Sequence, residues 1–409
     1  MSDELHKRIL ENGMVLLGEP MKGVQSAAFG FLLPAGASVL PEGCCGGANV
    51  ILDWMFRGAG ERDSRALSDA LDGLGVHRLS SVSSSHLSLG SALEASHLSE
   101  VLDLYADIIL RANFEDKEFE PSRQLAVDQV KSLDDDPRRN VMLKLREQFY
   151  PRPLGNSTIG QLDELETLTA KRVKQLAAEH LNLGETIFSV AGKYDFDSVS
   201  KQLEALFETE DGKESKQVSI GDKGQHYTHI HNDGAQVHIG LMTETVVPQD
   251  EDYYNARAAI SILAGGMSAR LFTEVREKRG LCYAIGAKYH CLKEAAGVMC
   301  YAGTTPDKAQ QTLDVVKEEF NKLKEGISEQ EVQRARAGLK SVLILQSESS
   351  SSRAVSIAGD YYMLGRVRSL DEIKQKVEET TVDSVQDFLR RNEFKDFTVV
   401  TIGPQEVAV

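Results

Sequence analysis

The sequence contains no apolar run near the roughly 18 residues that a membrane-spanning helix needs, which argues against a membrane protein. Cysteine is sparse and odd in number. Of the five, Cys44 and Cys45 are adjacent, and Cys282, Cys291 and Cys300 follow no metal-ligand spacing, so neither a disulfide framework nor a zinc knuckle is expected. Positive charge is in deficit, with 46 Lys and Arg against 62 Asp and Glu and a formal net charge of -16. That balance leaves no clustered basic footprint for nucleic acid or an anionic membrane surface. The strand-like segment KRILENGMVLLGEP starts at Lys7 and leaves no room for a targeting leader, so a reduced, cytoplasmic setting is expected.

What is present is enough for more than one compact core: 409 residues, 41% of them hydrophobic, imply two or more domains. A faint internal repeat divides the chain near its middle. Leu162-Asp163-Glu164-Leu165 recurs as Leu370-Asp371-Glu372-Ile373. Each copy is followed by an amphipathic stretch and then by a short apolar strand ending in glycine, IFSVAG to Gly192 and FTVVTIG to Gly403. Upstream, KEFEPSRQLAVDQVKSL and SEQEVQRARAGLKSVL both carry apolar residues at helical spacing, and SSHLSLGSALE and AGVMCYAG read as strands. The pattern predicts an α+β protein of two homologous domains, residues 1–207 and 225–409, each an antiparallel sheet with helices packed on one face. The polar stretch 208–224 reads as the linker, and the serine run at 347–352 as a loop or polar break between helices.

The segment GGANVILDWMFRGAGERDS, Gly46 to Ser64, follows PAGASVLPEG. It resembles the region where pitrilysin (insulinase) type zinc peptidases, the family of the processing peptidases, carry H-x-x-E-H. In that family two histidines four apart bind zinc and the glutamate between them is the general base. Counted back from Phe56-Arg57-Gly58, those positions fall on Asn49, Leu52 and Asp53. The family's third ligand, a glutamate ahead of an acidic stretch, falls on Gln129 when aligned from Pro137; a shift of one residue would give Asp128. Zinc takes imidazole, thiolate and carboxylate, and Asn49, Asp53 and Gln129 offer one charge and no soft donor. No zinc is therefore expected on this chain. Leu52 also removes the general base, worth about 10²- to 10⁴-fold, and without metal nothing brings the pKa of water down from ~15.7 toward ~7. A hard cation on Asp53 and Asp128 is the remaining metal option in this region. His226, His229 and His231 in HYTHIH form the sole histidine cluster, read either as a metal site or as an exposed strand start; His77, His86 and His97 share no spacing.

LAGGMSARLFTEVREKRGLCYAIGA, Leu263 to Ala287, is the segment most similar to the same family. There a glycine pair, a short helix and an R-x6-Y arrangement hold substrate near the zinc. By this resemblance Arg276 and Tyr283 are the substrate-holding and oxyanion-stabilising pair, with Gly265 and Gly266 allowing close approach of a peptide. Leu271, Phe272 and Val275 mark a helix, Gly280 suits its C-terminal cap, and a strand follows. In this family two double-domain units close around a peptide, and the pair from one completes the zinc site of the other. The resemblance therefore implies a non-catalytic, substrate-binding subunit of a heteromeric metalloendopeptidase, without independent activity, whose homologous partner carries the zinc. The alternative is a non-enzymatic peptide-binding or scaffold protein of the same fold, as a homodimer or a core-type subunit.

Overall fold

The computed structural model describes residues 5–181, 183–207 and 220–409. Its strands, in chain order, are β1 (His6–Ile9), β2 (Val15–Pro20), β3 (Ser26–Leu33), the two-residue β4 (Gly58–Ala59) and β5 (Arg62–Asp63), β6 (His77–Val82), β7 (Leu87–Glu94), β8 (Ile187–Gly192), β9 (Tyr227–His231), β10 (Val237–Thr245), β11 (Cys282–Cys291), β12 (Ala296–Thr304) and β13 (Thr398–Gly403). One large sheet runs β1-β2-β8-β3-β7-β6 and the other β11-β12-β10-β13-β9. Read from its far edge, the second is β9-β13-β10-β12-β11, the same topology as the first without β1. The repeat legible in LDEL and LDEI is thus a repeat of the whole sheet. Each glycine-ended strand sits inside its sheet and contributes one parallel pair, β2 with β8 and β9 with β13, to otherwise antiparallel ladders.

The chain divides into two compact units, and neither is a continuous half. Unit 1 comprises Met1–Ser132, Asn156–Ile220 and Gln346–Val367; unit 2 comprises Leu133–Gly155, Gly221–Leu345 and Arg368–Val409. The helices Pro137–Phe149 and Ser350–Leu364 are the reason. Each comes from one half of the sequence and packs on the sheet of the other. In unit 1 the alternation of strand side chains sends Phe29, Phe31, Phe188 and Val190 into the main helical core, while Leu17, Ala28, Ile187 and Ala191 meet Ala354, Ile357 and Ala358 on the opposite face. A buried bidentate pair fixes that helix: Arg353 donates through Nε to Glu19 Oε1 at 2.9 Å and through Nη2 to Oε2. In unit 2, Val141, Leu145 and Phe149 cover Met242, Met299, Val400 and Ile402. The α+β reading holds, and to helices on one face the structure adds a single exchanged helix on the other. That second cover is why β8, β12 and β13 are buried throughout their length.

Of the expected linker, residues 208–219 lie outside the described residues, and 220–224 form no regular element. Of the serine run at 347–352 only Glu348 and Ser349 form the break between helices: Ser347 ends one helix, Ser350–Ser352 open the next, and Ser349 caps it by accepting from the Ser352 amide at 3.3 Å, a cap that serine suits.

Candidate functional site

In unit 1 the helix Gly47–Met55 buries Ala48, Val50, Ile51, Trp54 and Met55, which leaves Asn49, Leu52 and Asp53 together on its other stripe at positions i, i+3 and i+4. Gly46 starts the helix at φ 99°, where a side chain would be strained and would collide with Leu165 and Gly160. The helix Asp116–Lys131 packs beside it and presents Ser122, Leu125, Ala126 and Gln129, spaced i, i+3, i+4 and i+7, toward the same space. Arg78 and Ser80 of β6 complete the wall. The result is one cavity of about 290 Å³ lined by Asn49, Leu52, Asp53 and Gln129 together. Asp128 is not among its lining residues; it is exposed and accepts from Gln124 Nε2 at 2.8 Å. The structure does not bring Asp53 and Asp128 together, and among the described residues no group of three His, Cys, Asp or Glu is placed to hold a metal ion.

The polar groups of this corner are largely satisfied from within. Asn49 Nδ2 donates to the Thr158 carbonyl at 2.7 Å. Asp53 accepts from Arg57 Nε at 2.5 Å, and Arg57 Nη1 reaches Glu118 at 3.3 Å. Burial by itself lowers the Arg57 pKa, but the hydrogen bonds and charges of Asp53 and Glu118 outweigh it and hold the guanidinium above its ordinary value. The only carboxylate at the three ligand positions is therefore neutralised by a fixed internal cation, and the donors present do not fit zinc.

In unit 2, Gly265 ends the helix Tyr253–Ala264. Its amide donates to the Ser261 carbonyl at 2.7 Å, and a Cβ there would come within 2.5 Å of that same oxygen. Gly266 has open space around its Cα. Both line a cavity of about 200 Å³ with Ser261, Met267, Glu331 and Arg334, which Arg276 and Tyr283 do not line. The expected helix through Phe272 and Val275 is present as a π-helical turn, Phe272–Glu277, a widened geometry that recurs at functional sites. Arg276 is exposed and lies 4.9 Å from the centre of the Phe272 ring. Gly280 closes the turn at φ 57°. Tyr283 follows on β11, an edge strand of its sheet, with 64% of its surface exposed. No hydrogen bond or ion pair joins Arg276 or Tyr283 to another side chain among the described residues.

The histidine cluster is an edge-strand start. His229 Nδ1 lies 2.9 Å from Thr401 Oγ1 and His231 Nε2 lies 3.0 Å from Asp233, while His226 is exposed. His86 is buried against the Tyr362 ring at 4.3 Å. None of the five cysteines forms a disulfide. No helix among the described residues is long and apolar enough to cross a membrane. Sequence reasoning missed Arg57, Glu118 and the β6 residues. The Asp53 to Arg57 spacing of four was the available signal for the first.

Two family models match the chain in succession. Residues 20–162, which hold Asn49, Leu52, Asp53 and Gln129, match insulinase (peptidase family M16), and residues 167–339, which hold Arg276 and Tyr283, match the peptidase M16 inactive domain. The chain belongs to the M16 peptidase family. Relatives align over all or nearly all of its length: an uncharacterized zinc protease of Rickettsia bellii is 24% identical over 100% of both chains, and one of Bacillus subtilis is 24% identical over 96% of this chain and 97% of its own. The fold matches a protease from Helicobacter pylori with a TM-score of 0.90 at 20% identity, covering 99% of this chain and 100% of that one. It also matches a peptidase M16 inactive domain from Pseudomonas fluorescens, with a TM-score of 0.87 at 17% identity over 99% of each. The match to the M16 inactive domain supports a non-catalytic M16-like member.

Proposed function

We propose that this chain is the substrate-holding subunit of a heteromeric zinc peptidase, and that a homologous partner with an intact H-x-x-E-H supplies the metal and the general base. The observation that carries the reading is the contrast between the two sites. The ligand corner is internally neutralised around Asp53 and Arg57, whereas Arg276 and Tyr283 stand exposed. In the partner's site the Tyr283 phenol donates to the oxyanion that develops at the scissile carbon, and the Arg276 fork holds a peptide carbonyl. Gly266, with open space around its Cα, gives the peptide backbone room to approach, and Gly265 ends the helix before it. The setting proposed is the cytoplasm, in keeping with five cysteines of which none forms a disulfide.

The test is reconstitution. Purified chain alone is expected to leave unfolded peptides uncut, and mixing with its zinc-bearing homologue to give one-to-one association and turnover above that of either protein. Turnover by the single chain, with contaminating protease excluded, refutes the proposal. A second reading, a non-enzymatic scaffold, draws on the likeness to a chain of complex III2 from Candida albicans, with a TM-score of 0.86 at 18% identity over 98% of this chain and 96% of that one. It is the better reading if the mixture associates but gains no activity.

A further inference from the structure

On the functional reading above, Tyr283 has to present its hydroxyl in a fixed place before a peptide arrives, and the fold contains a device suited to that. Along the β11–β12 ladder, Cys282 faces Thr304 and Ala284 faces Gly303, so Tyr283 is an extra residue bulged out of register. A bulge of this kind re-aims a side chain. Its root is Leu281, the residue before the first ladder pair, 4% exposed, whose amide donates to the Val275 carbonyl at 3.0 Å. The Leu281 carbonyl accepts from the Thr304 hydroxyl. Thr312 Oγ1 lies 3.3 Å from that carbonyl, 3.2 Å from Thr304 Oγ1 and 2.8 Å from the Lys308 carbonyl. One residue earlier, Lys308 Nζ donates to the Gly280 carbonyl at 3.0 Å.

Both threonines are fully buried in an otherwise apolar core that includes Leu271, Val275, Leu313 and Val316. Valine has nearly the same shape and carries no hydroxyl to desolvate, so packing alone gives no reason for threonine at either position. What the hydroxyls do is tie the chain at a single point, two residues before Tyr283. We infer that Thr304, with Thr312 behind it, is a positioning residue for Tyr283: its hydrogen bond to Leu281 fixes the bulge and so the direction in which the phenol points. This rests on the functional reading for its purpose and on the β11 geometry for its substance.

The primary test uses the isolated full-length chain with 3-fluorotyrosine at position 283, observed by fluorine NMR. Wild type gives one narrow resonance. Thr304→Val broadens, splits or shifts it, and Thr304→Ser, which keeps the hydroxyl, restores it. Thr312→Val shows the same direction with smaller amplitude and serves if Thr304→Val does not fold. A resonance unchanged in both valine variants overturns the inference. In the reconstituted complex, Thr304→Val lowers kcat roughly 10-fold with KM within about twofold, as expected for a small misplacement of a reacting group. The loss disappears when Tyr283→Phe is already present. A kcat loss of the same size in the Tyr283→Phe background overturns the inference, because the threonine would then act elsewhere. Should Tyr283→Phe itself leave the kinetics untouched, the functional reading falls, and the fluorine resonance alone decides the bulge.

Discussion

In unit 1 the helix that should carry metal ligands carries an amide bonded to a backbone carbonyl and a carboxylate paired with its own helical neighbour, Arg57. In unit 2 the segment that should hold substrate carries an arginine whose neighbour is an aromatic face and a tyrosine 64% exposed at a sheet edge. The two regions sit on the same sheet topology, so the fold does not decide which is satisfied and which is not. A site that has lost its ligand settles by recruiting internal partners, since buried or half-buried polar groups left alone are costly. On the function proposed here, the second site keeps its polar groups unspent for a substrate. The comparison therefore teaches where to look for chemistry: at the groups the protein has not neutralised.

The largest expected effect concerns the first region. Wild-type chain equilibrated with excess zinc and mildly chelated should retain well under one equivalent by elemental analysis. Because Asn49, Leu52, Asp53 and Gln129 already line one cavity, Asn49→His with Leu52→Glu, Asp53→His and Gln129→Glu should retain about one equivalent, held by three protein ligands with the fourth position left to water. Stoichiometric zinc on the wild type would erase the contrast. The second region should respond next. In the reconstituted complex Tyr283→Phe is expected to lower kcat by about 10²- to 10³-fold, the loss typical of one oxyanion donor, while Arg276→Ala chiefly raises KM because a ground-state clamp binds substrate and transition state alike. Equal effects on kcat would merge the two roles.

Much of this could be read in the chain before the structure. The repeat and the glycine-ended strands are local patterns, and Gln129, reached by counting back from Pro137, lines one cavity with Asn49, Leu52 and Asp53. The exchange of Pro137–Phe149 and Ser350–Leu364 could not be read. PRRNVMLKLREQF is a helix by its spacing, but nothing local says which sheet its apolar stripe will cover. The π-helical turn at Phe272–Glu277 and the bulge at Tyr283 were equally invisible. Both arise where a helix, a positive-φ glycine and an edge strand must be joined in a few residues, and Leu281 at that junction is bonded by Thr304 and Thr312, distant in sequence.

Two smaller effects sharpen the contrast further. β11 is exposed at Tyr283 and half-buried at its other end, where His290 Nδ1 lies 2.7 Å from the Tyr150 hydroxyl and desolvation pushes the histidine pKa down to about 4. A folded pKa below the unfolded value of about 6.5 means that the unfolded chain binds the proton first as pH falls. Stability from neutral His290 is complete above about pH 6.5 and is lost as pH drops toward about 4, by roughly 3 kcal/mol for a shift of this size. Denaturant unfolding of wild type against His290→Gln between these limits should show that slope in wild type only. The smallest effect is expected in unit 1, where Arg57→Met leaves Asp53 without its cation. The loss should be about 1 kcal/mol, as for a partly exposed pair, and Asp53→Asn in addition should recover most of it; no recovery would mean that Arg57 stabilises through Glu118 instead.

The exchanged helices also bear on how such a chain can have arisen. Internal sequence likeness and a shared sheet order are marks of duplication, yet a single half of this chain is not a finished object. Residues 1–207 would carry Pro137–Phe149 with no sheet beneath its apolar stripe, and would leave Leu17, Ala28, Ile187 and Ala191 uncovered where Ser350–Leu364 now lies. Two copies of such a half, each lending its helix to the other, would close both gaps at once. A half-length ancestor with this topology is thus complete as a swapped pair, and fusion into one chain would have made a permanent partnership of what had been an exchange between equals.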